Sequence, residues 1–290
     1  MKLLIIDKPA KLELKQSTLR VDLQKIPLHL IDTIILIGKH NLDSKLLINL
    51  STKSITVMLL YKNFTQASII YPLKNKNAEL KVQQYKAITN QQTSLKIVKY
   101  VIKNKISSHL QHLKSHNINI DYDFKILNEA KDLQEILGIE GSFAKKYFEQ
   151  YFNLLPKNLH SGKRTKQPPK DPVNALLSLY YTMFYNIITI RVVGFGFEPT
   201  LGFLHQPFRS HNALSSDIIE IIRADINEFV YTLFKNKIVS SQDFTKKNGV
   251  FLKYDSRKKL WKEFQAFQNH ISPKIDSIIA DIRSMLWAIL

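Results

Sequence analysis

The chain has 290 residues, enough for one large domain or two ordinary ones, and its 44% apolar fraction with only 8 Gly and 10 Pro excludes a low-complexity chain. The complete lack of cysteine excludes a disulfide framework, a thiolate zinc site and a cysteine nucleophile, and it accords with a reducing cytoplasm. Against 24 Asp and Glu stand 42 Lys and Arg, a formal charge of +18, which points to a polyanionic partner, nucleic acid before an anionic membrane.

The opening MKLLIIDKPAKLEL has too short an apolar run, too quickly charged, for a signal peptide. From Leu3 to Pro72 the pattern is strand-like: LLII, KLELK, TLRVDL, TIILI, SITVMLL and ASIIY are β-branched or alternating runs. Turn chemistry separates them at Asp7-Lys8-Pro9, Ile26-Pro27, Gly38-Lys39-His40-Asn41 and Lys62-Asn63, and Asp43 to Leu50 reads as a short helix. Residues 1–72 are therefore predicted to form a small β-rich domain. It carries no cluster of chemical groups, so its expected job is dimerisation or scaffolding. The polar connector Tyr71 to Glu79 marks the boundary, and residues 80–290 are predicted to form a larger all-α domain, an α+β chain as a whole.

From Leu80 to Leu113 the periodicity is helical and the charge lopsided. Between Lys74 and Ser115 nine lysines face a single acid, Glu79. A solvated helix face normally mixes signs, so this one is expected to meet phosphates, with salt-sensitive and sequence-insensitive binding. Lys81, Lys86, Lys96, Lys99, Lys103 and Lys105 are its candidates, joined by Lys163 and Arg164 of the basic, proline-rich loop His160 to Pro172. Asp123 to Leu137 continues as helix. Gly138-Ile139-Glu140-Gly141 follows, and then an amphipathic aromatic helix, SFAKKYFEQYFNLL. A carboxylate near a helix start is favoured by the dipole, and glycines beside it allow a backbone or a ligand to come close.

Ala175 to Phe197 is the most apolar long stretch. Ser178, Thr182, Asn186, Thr189 and Arg191 interrupt it, so it reads as a core helix rather than a membrane span. With Asn174, the four uncharged polar residues trace one narrow stripe, which either lines a hydrated cavity beside an acidic site or bonds to a neighbouring element. Gly194 and Gly196 then lead into Thr200 to Asp225, TLGFLHQPFRSHNALSSDIIEIIRAD. This stretch sets an imidazole, His205, in a Gly/Pro turn ahead of a helix with Ser215 or Ser216 as its cap. Asp217 and Glu220 share one face of that helix at i,i+3, among isoleucines. Carboxylates on so apolar a helix are costly unless paired with a cation or metal, and a His nitrogen with carboxylate oxygens suits Mn²⁺ or Mg²⁺. Helix continues to about Val239. Phe244 to Tyr254 reads as a Gly-turned hairpin or extended insert, and Lys258 to Leu290 as a closing helix with Trp261 and Trp287 as core or interface anchors. No internal repeat, P-loop, dinucleotide fingerprint or zinc spacing is present.

In order and spacing, IDTIILIGKHNLDSKLLINL, LGIEGSFAKKYF, DPVNALLSLYYTMFYN, GFEPTLGFLHQPFRSHNALSSDIIEIIR and FTKKNGVFLK resemble the family of CRISPR-associated protein one, the endonuclease and integrase of spacer acquisition, over nearly the whole chain. The resemblance implies that Glu140, His205 and Glu220 are catalytic and ligate a divalent metal, with Asp217 as the neighbouring acid that binds or orients the ion. Glu220 stands where many members have Asp, and Ala224 where a proline is common. Asn174 and Arg209 match family positions near the site, Arg209 as a further candidate DNA contact. Also implied are a homodimer, two of which are bridged by the small second adaptation protein into a heterohexamer on double-stranded DNA. The implied reaction is phosphoryl transfer, in which a 3′-OH attacks the leader–repeat junction. Against this stand a metal nuclease of branched DNA in repair, a basic DNA-binding protein without chemistry and, more distantly, a tyrosine recombinase.

Overall fold

The computed structural model describes residues 3–62, 64, 66–72, 77–206 and 211–288. Arg209, and Lys74 and Lys76 of the lysine-rich stretch, lie outside the described residues. The chain divides into two compact units, Met1–Val82 with Thr189–Glu198, and Gln83–Ile188 with Pro199–Leu290.

In the first unit, β1 (Leu3–Ile6), β5 (Thr33–Ile37), β6 (Thr56–Leu60) and β7 (Gln66–Ile70) form a mixed sheet in the order β1-β5-β6-β7. The first three run parallel and β7 antiparallel, with Ile5 opposite Ile35 and Ile34 opposite Val57. Parallel strands are covered on both faces, which is why TIILI is an unbroken apolar run and is buried at every position. A second, antiparallel sheet joins β2 (Leu12–Lys15), β3 (Thr18–Val21) and β4 (Gln24–Pro27). Its Leu19 packs with Ile34, Leu36, Val57 and, from helix α1 (Ser44–Thr52), Leu46 and Leu50. The Asp43 side chain caps α1 by accepting from the Lys45 N–H at 3.1 Å.

Strand β4 was expected as turn chemistry at Ile26-Pro27. Its tail proline is tolerated because β4 is an edge strand, where the lost N–H would have bonded nothing in the sheet. The Thr189–Glu198 segment belongs to this unit rather than to the helical one. Asn77 Nδ2 donates to the Phe195 carbonyl at 3.1 Å, and Lys81 Nζ reaches Glu198 at 3.4 Å. Gly196 is required there: its φ is +95°, and a Cβ would come within 2.1 Å of the Asn77 side chain.

The remaining elements are α2 (Ala78–Thr89), α3 (Gln91–Ser115), α4 (Lys125–Glu129), α5 (Leu133–Asn153), α6 (Pro172–Gly194), α7 (Ala213–Lys235), the hairpin β8 (Phe244–Lys246) and β9 (Val250–Leu252), and α8 (Tyr254–Trp287). The architecture is thus α+β, strands first and helices after. Asn90 caps α3 through its side chain and the Thr93 N–H, so the helical stretch expected from Leu80 breaks there in two. Helix α5 runs straight through Gly138 and Gly141 from its cap at Asp132, so Glu140 is mid-helix and not at a helix start. A Cβ at either glycine would meet nothing within 4 Å. Helix α7 begins at Ala213 after Asn212, so Ser215 and Ser216 are not its cap but lie buried in its first turn. Among the described residues α6 is the one helix long and apolar enough to cross a membrane, and 78% of its apolar window is buried inside the protein, in line with a core helix.

The core of the second unit is α3 packed on α7 and α5. Lys105 meets Glu140 and Glu220, and one layer further on His112 meets Tyr147 and Glu228, so the three helices run in the same direction. The hairpin is tied to α8 by Asp243, which accepts from the Ser240 N–H at 2.8 Å and the Ser256 hydroxyl at 2.8 Å and pairs with Lys259. Burial alone would push the Asp243 carboxyl up, but Lys259 and these donors outweigh it and hold it at about 2, below its ordinary 3.8. A depressed carboxyl stabilises the fold above its unfolded pKa and stops doing so as pH falls through the folded one. Asp243→Asn is therefore expected to lower the urea midpoint at neutral pH, with the deficit relative to wild type shrinking between pH 4 and pH 2 and absent below it.

Candidate active site

Helices α3 and α5 each contribute one charge to a shared cluster, and α7 contributes two. Lys105 of α3 follows Val101 and Ile102 and precedes Ile106, all buried, so its stem is carried into the core and it is only 5% exposed. Its ammonium donates to Oε1 of Glu140 on α5 and to Oε2 of Glu220 on α7, side chains that are 22% and 6% exposed. One turn along α7, Arg223 Nη2 pairs with the other oxygen of Glu220 at 2.7 Å, and its guanidinium lies 4.7 Å over the Tyr181 ring of α6. Burial pushes the Glu220 carboxyl up, but Arg223 and Lys105 outweigh it and hold it at about 2. Two carboxylates and two cations thus balance in a dry place, where loss of one partner would cost about 3–5 kcal/mol.

His205 is placed by a different device. Asp217, with no exposed surface, turns both oxygens onto the loop before α7. One accepts from the N–H groups of Phe203 at 2.6 Å and Leu204 at 3.1 Å; the other accepts from the His205 N–H at 2.9 Å and from His205 Nδ1 at 2.8 Å. Gly202 makes this loop possible, because a Cβ would lie within 2.8 Å of Ala213 and of the His205 carbonyl. With Nδ1–H given to Asp217, the imidazole presents Nε2 as its ligand atom on a side chain that is 37% exposed.

The structure therefore brings Glu140 and Glu220 together, with Lys105 between them, and holds His205 through Asp217. It does not close Glu140, His205 and Glu220 into a tight triad. Among the described residues, the group of three whose ligand atoms all lie within 4.8 Å of one another is His112, His116 and Glu228. The oxygens of Asp217 are spent on four hydrogen bonds, two of them to His205, which they orient.

Two expected DNA contacts also turn inward. Lys105 is buried with the acids, and Arg164 donates to Asn174 Oδ1 at 2.9 Å and Ser178 Oγ at 3.1 Å, over the Tyr181 ring. The α6 stripe thus bonds to the His160–Pro172 loop at these two positions instead of lining a hydrated cavity. Lys99 donates to the Asn128 carbonyl and Lys81 pairs with Glu198, whereas Lys86, Lys96, Lys103 and Lys163 are exposed. Sequence reasoning missed the roles of Lys105 and Arg223. The signal for Lys105 was available: a lysine at the spacing of the buried residues of its own helix.

Fold and site together define a basic α+β protein whose helical core presents two acids and an imidazole from three separate segments. The family model described as CRISPR associated protein Cas1 matches residues 3–266, and the chain belongs to that family. It is 33% identical over 259 residues to a CRISPR-associated endonuclease Cas1 of Thermodesulfovibrio yellowstonii, covering 83% of this chain and 81% of that protein. A solved Cas1 protein from Thermotoga maritima superposes with a TM-score of 0.87 at 19% identity over 99% of this chain and 97% of that one. A casposase bound to its integration product superposes with a TM-score of 0.79 at 24% identity over 98% and 91% of the two chains. The two superpositions carry the fold.

Asp217→Asn keeps the volume but sets an NH₂ against N–H donors. It is expected to destabilise the protein by about 2–4 kcal/mol, read as a lower urea midpoint without change of slope. Disorder at His205 should follow, seen in its imidazole resonances.

Proposed function

We propose that this chain is a metal-dependent DNA endonuclease and integrase that joins short DNA segments to a CRISPR array by attack of a 3′-OH on a phosphodiester. The observation that carries the reading is the convergence of Glu140 and Glu220, 80 residues apart in sequence, on one buried cation beside the Asp217-held His205. The donor set fits a hard divalent ion, Mg²⁺ or Mn²⁺: two carboxylates already share the Lys105 ammonium, and an imidazole nitrogen stands on a fixed loop. Glu140, His205 and Glu220 would hold the ion, and Asp217 keeps the imidazole in the correct tautomer. When bound, such an ion supplies Lewis acidity toward phosphate oxygens, at the attacking and leaving positions alike.

Lys105 competes for the same two oxygens, so it holds both acids in place and keeps the cluster folded until they are engaged elsewhere. Arg223 stays on the far oxygen of Glu220 and fixes that side chain's direction. Gly138 and Gly141 leave the surface of α5 beside Glu140 bare, at a cost of about 0.5–1 kcal/mol each relative to Ala, and among the described residues nothing lies within 4 Å of a Cβ at either one. The exposed lysines of α2 and α3 and Lys163 bind duplex phosphates. The β-rich unit serves dimerisation, and two dimers bridged by the small second adaptation protein form the working assembly. The comparison with an endonuclease of the same family supports the nuclease part of this reading.

The test is a strand-transfer assay with labelled short duplex, a leader–repeat target, the partner protein and Mn²⁺ or Mg²⁺. Alanine at Glu140, His205 or Glu220 is expected to lower cleavage and joining by about 10²-fold or more while DNA affinity stays within about threefold. Full activity in these variants, or binding lost in parallel with activity, would overturn the assignment. Joining with no preference for the leader–repeat junction would favour the repair nuclease instead. Separately, Lys86→Ala, Lys96→Ala and Lys103→Ala are each expected to reduce the slope of log K against log salt by about 0.9, equally on unrelated duplexes, in a fluorescence-anisotropy titration.

A further inference from the structure

A second group of side chains that could ligate a metal lies further along two of the same helices, α3 and α7. His112 and His116 stand one turn apart on α3, and both direct Nε2 at the same oxygen of Glu228 on α7, at 2.9 and 2.6 Å. The rings are 4% and 13% exposed, while the Glu228 side chain is 42% exposed, so the nitrogens are shielded and the carboxylate opens to solvent. Lys105 and His112, like Glu140 and Tyr147, are seven residues apart, which puts this group roughly 10 Å along the helix axes from the acid cluster.

We propose that His112, His116 and Glu228 form a binding site for one transition-metal ion of the Zn²⁺ class, distinct from the Glu140, His205 and Glu220 site, that staples α3 to α7. Two imidazoles and one carboxylate suit Zn²⁺, Co²⁺ or Ni²⁺ rather than Mg²⁺, and three protein ligands leave a fourth position for water on the open side. Helical i,i+4 spacing is what brings two imidazoles to one ion. Bonds of about 2.0–2.1 Å set tetrahedral ligand atoms about 3.3 Å apart, so the Glu228 oxygen needs to draw back from each nitrogen by only a fraction of an ångström, which its exposed side chain allows, and the three ligand atoms already lie within 4.8 Å of one another.

The surroundings also prepare His112 as a ligand. Its Nδ1 lies 3.0 Å from the Tyr147 hydroxyl, which accepts from Asn227 Nδ2 at 2.9 Å. That oxygen has a second lone pair for an Nδ1–H, the tautomer that leaves Nε2 its own lone pair for an ion. Tyr147 and Asn227 are themselves fully buried and fixed, so the ring cannot turn away.

The test uses full-length protein stripped of metal and carrying Glu140→Ala and His205→Ala, so that the acid cluster contributes no signal. Competition for Zn²⁺ against a chromophoric chelator should give one equivalent bound per chain, and Co²⁺ should show the visible absorption of a four-coordinate ion. Adding His112→Asn and His116→Asn should abolish both, and Glu228→Gln should weaken Zn²⁺ at least about tenfold. Undiminished binding after those changes, or no equivalent bound before them, would overturn the proposal. Should the double histidine variant fail to fold by circular dichroism, His116→Gln alone, at the more accessible ring, decides it: a tenfold loss supports the site and an unchanged affinity refutes it. Because the acid cluster is disabled throughout, these outcomes do not depend on whether the chain is an integrase.

Discussion

The central constraint on the helical unit is that two carboxylates must be given partners in a place from which water is largely excluded. Glu140 and Glu220 meet this with Lys105, and Glu220 also with Arg223, so each negative charge is answered at hydrogen-bonding distance. A buried ion pair of this kind adds little net stability over a hydrophobic substitute, since desolvation takes back most of the Coulombic gain. What it secures is direction: the side chains of three helices point at one spot, and the helices are held in one mutual register. Such an arrangement is expensive to keep for stability alone and makes sense where the acids have another task.

The clamp on His205 follows the opposite strategy. Asp217 needs no counter-cation, because three backbone N–H groups and one imidazole satisfy its oxygens. Backbone amides cannot be exchanged for another partner without unmaking the loop, whereas a lysine ammonium can be withdrawn from two carboxylates by rotation of its own stem. The unit therefore combines a permanently fixed imidazole with two carboxylates whose partner is replaceable. An acid three residues before Glu220 looks equivalent to it in a linear motif, and only the count of hydrogen bonds separates the two roles.

Much of this was legible in the residues and some was not. The strands of the first unit were read nearly to the residue because continuous β-branched runs and turn residues leave few choices, and β4 escaped because QKIP carries a proline that only an edge strand tolerates. Residues Glu140, His205, Asp217 and Glu220 were singled out from their spacing and from a family resemblance. Glycines misled the placement of Glu140: they read as a break, yet α5 crosses both, since helix interiors accept glycine at modest cost when packing on other faces decides the matter. Lys105 and Arg164 were assigned to phosphate by charge counting. A count of charge does not see which residues share a face with buried neighbours, and both side chains face inward.

The acid cluster and the histidine pair have a common origin in helix geometry. Three helices running in the same direction in mutual contact repeat their shared face about every seven residues, so a polar group placed at one level tends to find polar company at the next. Lys105, His109 and His112 succeed one another along α3, and Glu140, Phe143 and Tyr147 along α5. Between the two polar levels sits His109, fully buried, with its Nδ1 at the Lys105 carbonyl and its ring 4.1 Å from that of Tyr147. Burial first, and then the nearby Lys105, hold its pKa down to about 3, so it stays neutral and serves as packing. A charged side chain at that level would join the two clusters into one continuous ionic column, whereas a neutral ring set edge-on to Tyr147 keeps them apart.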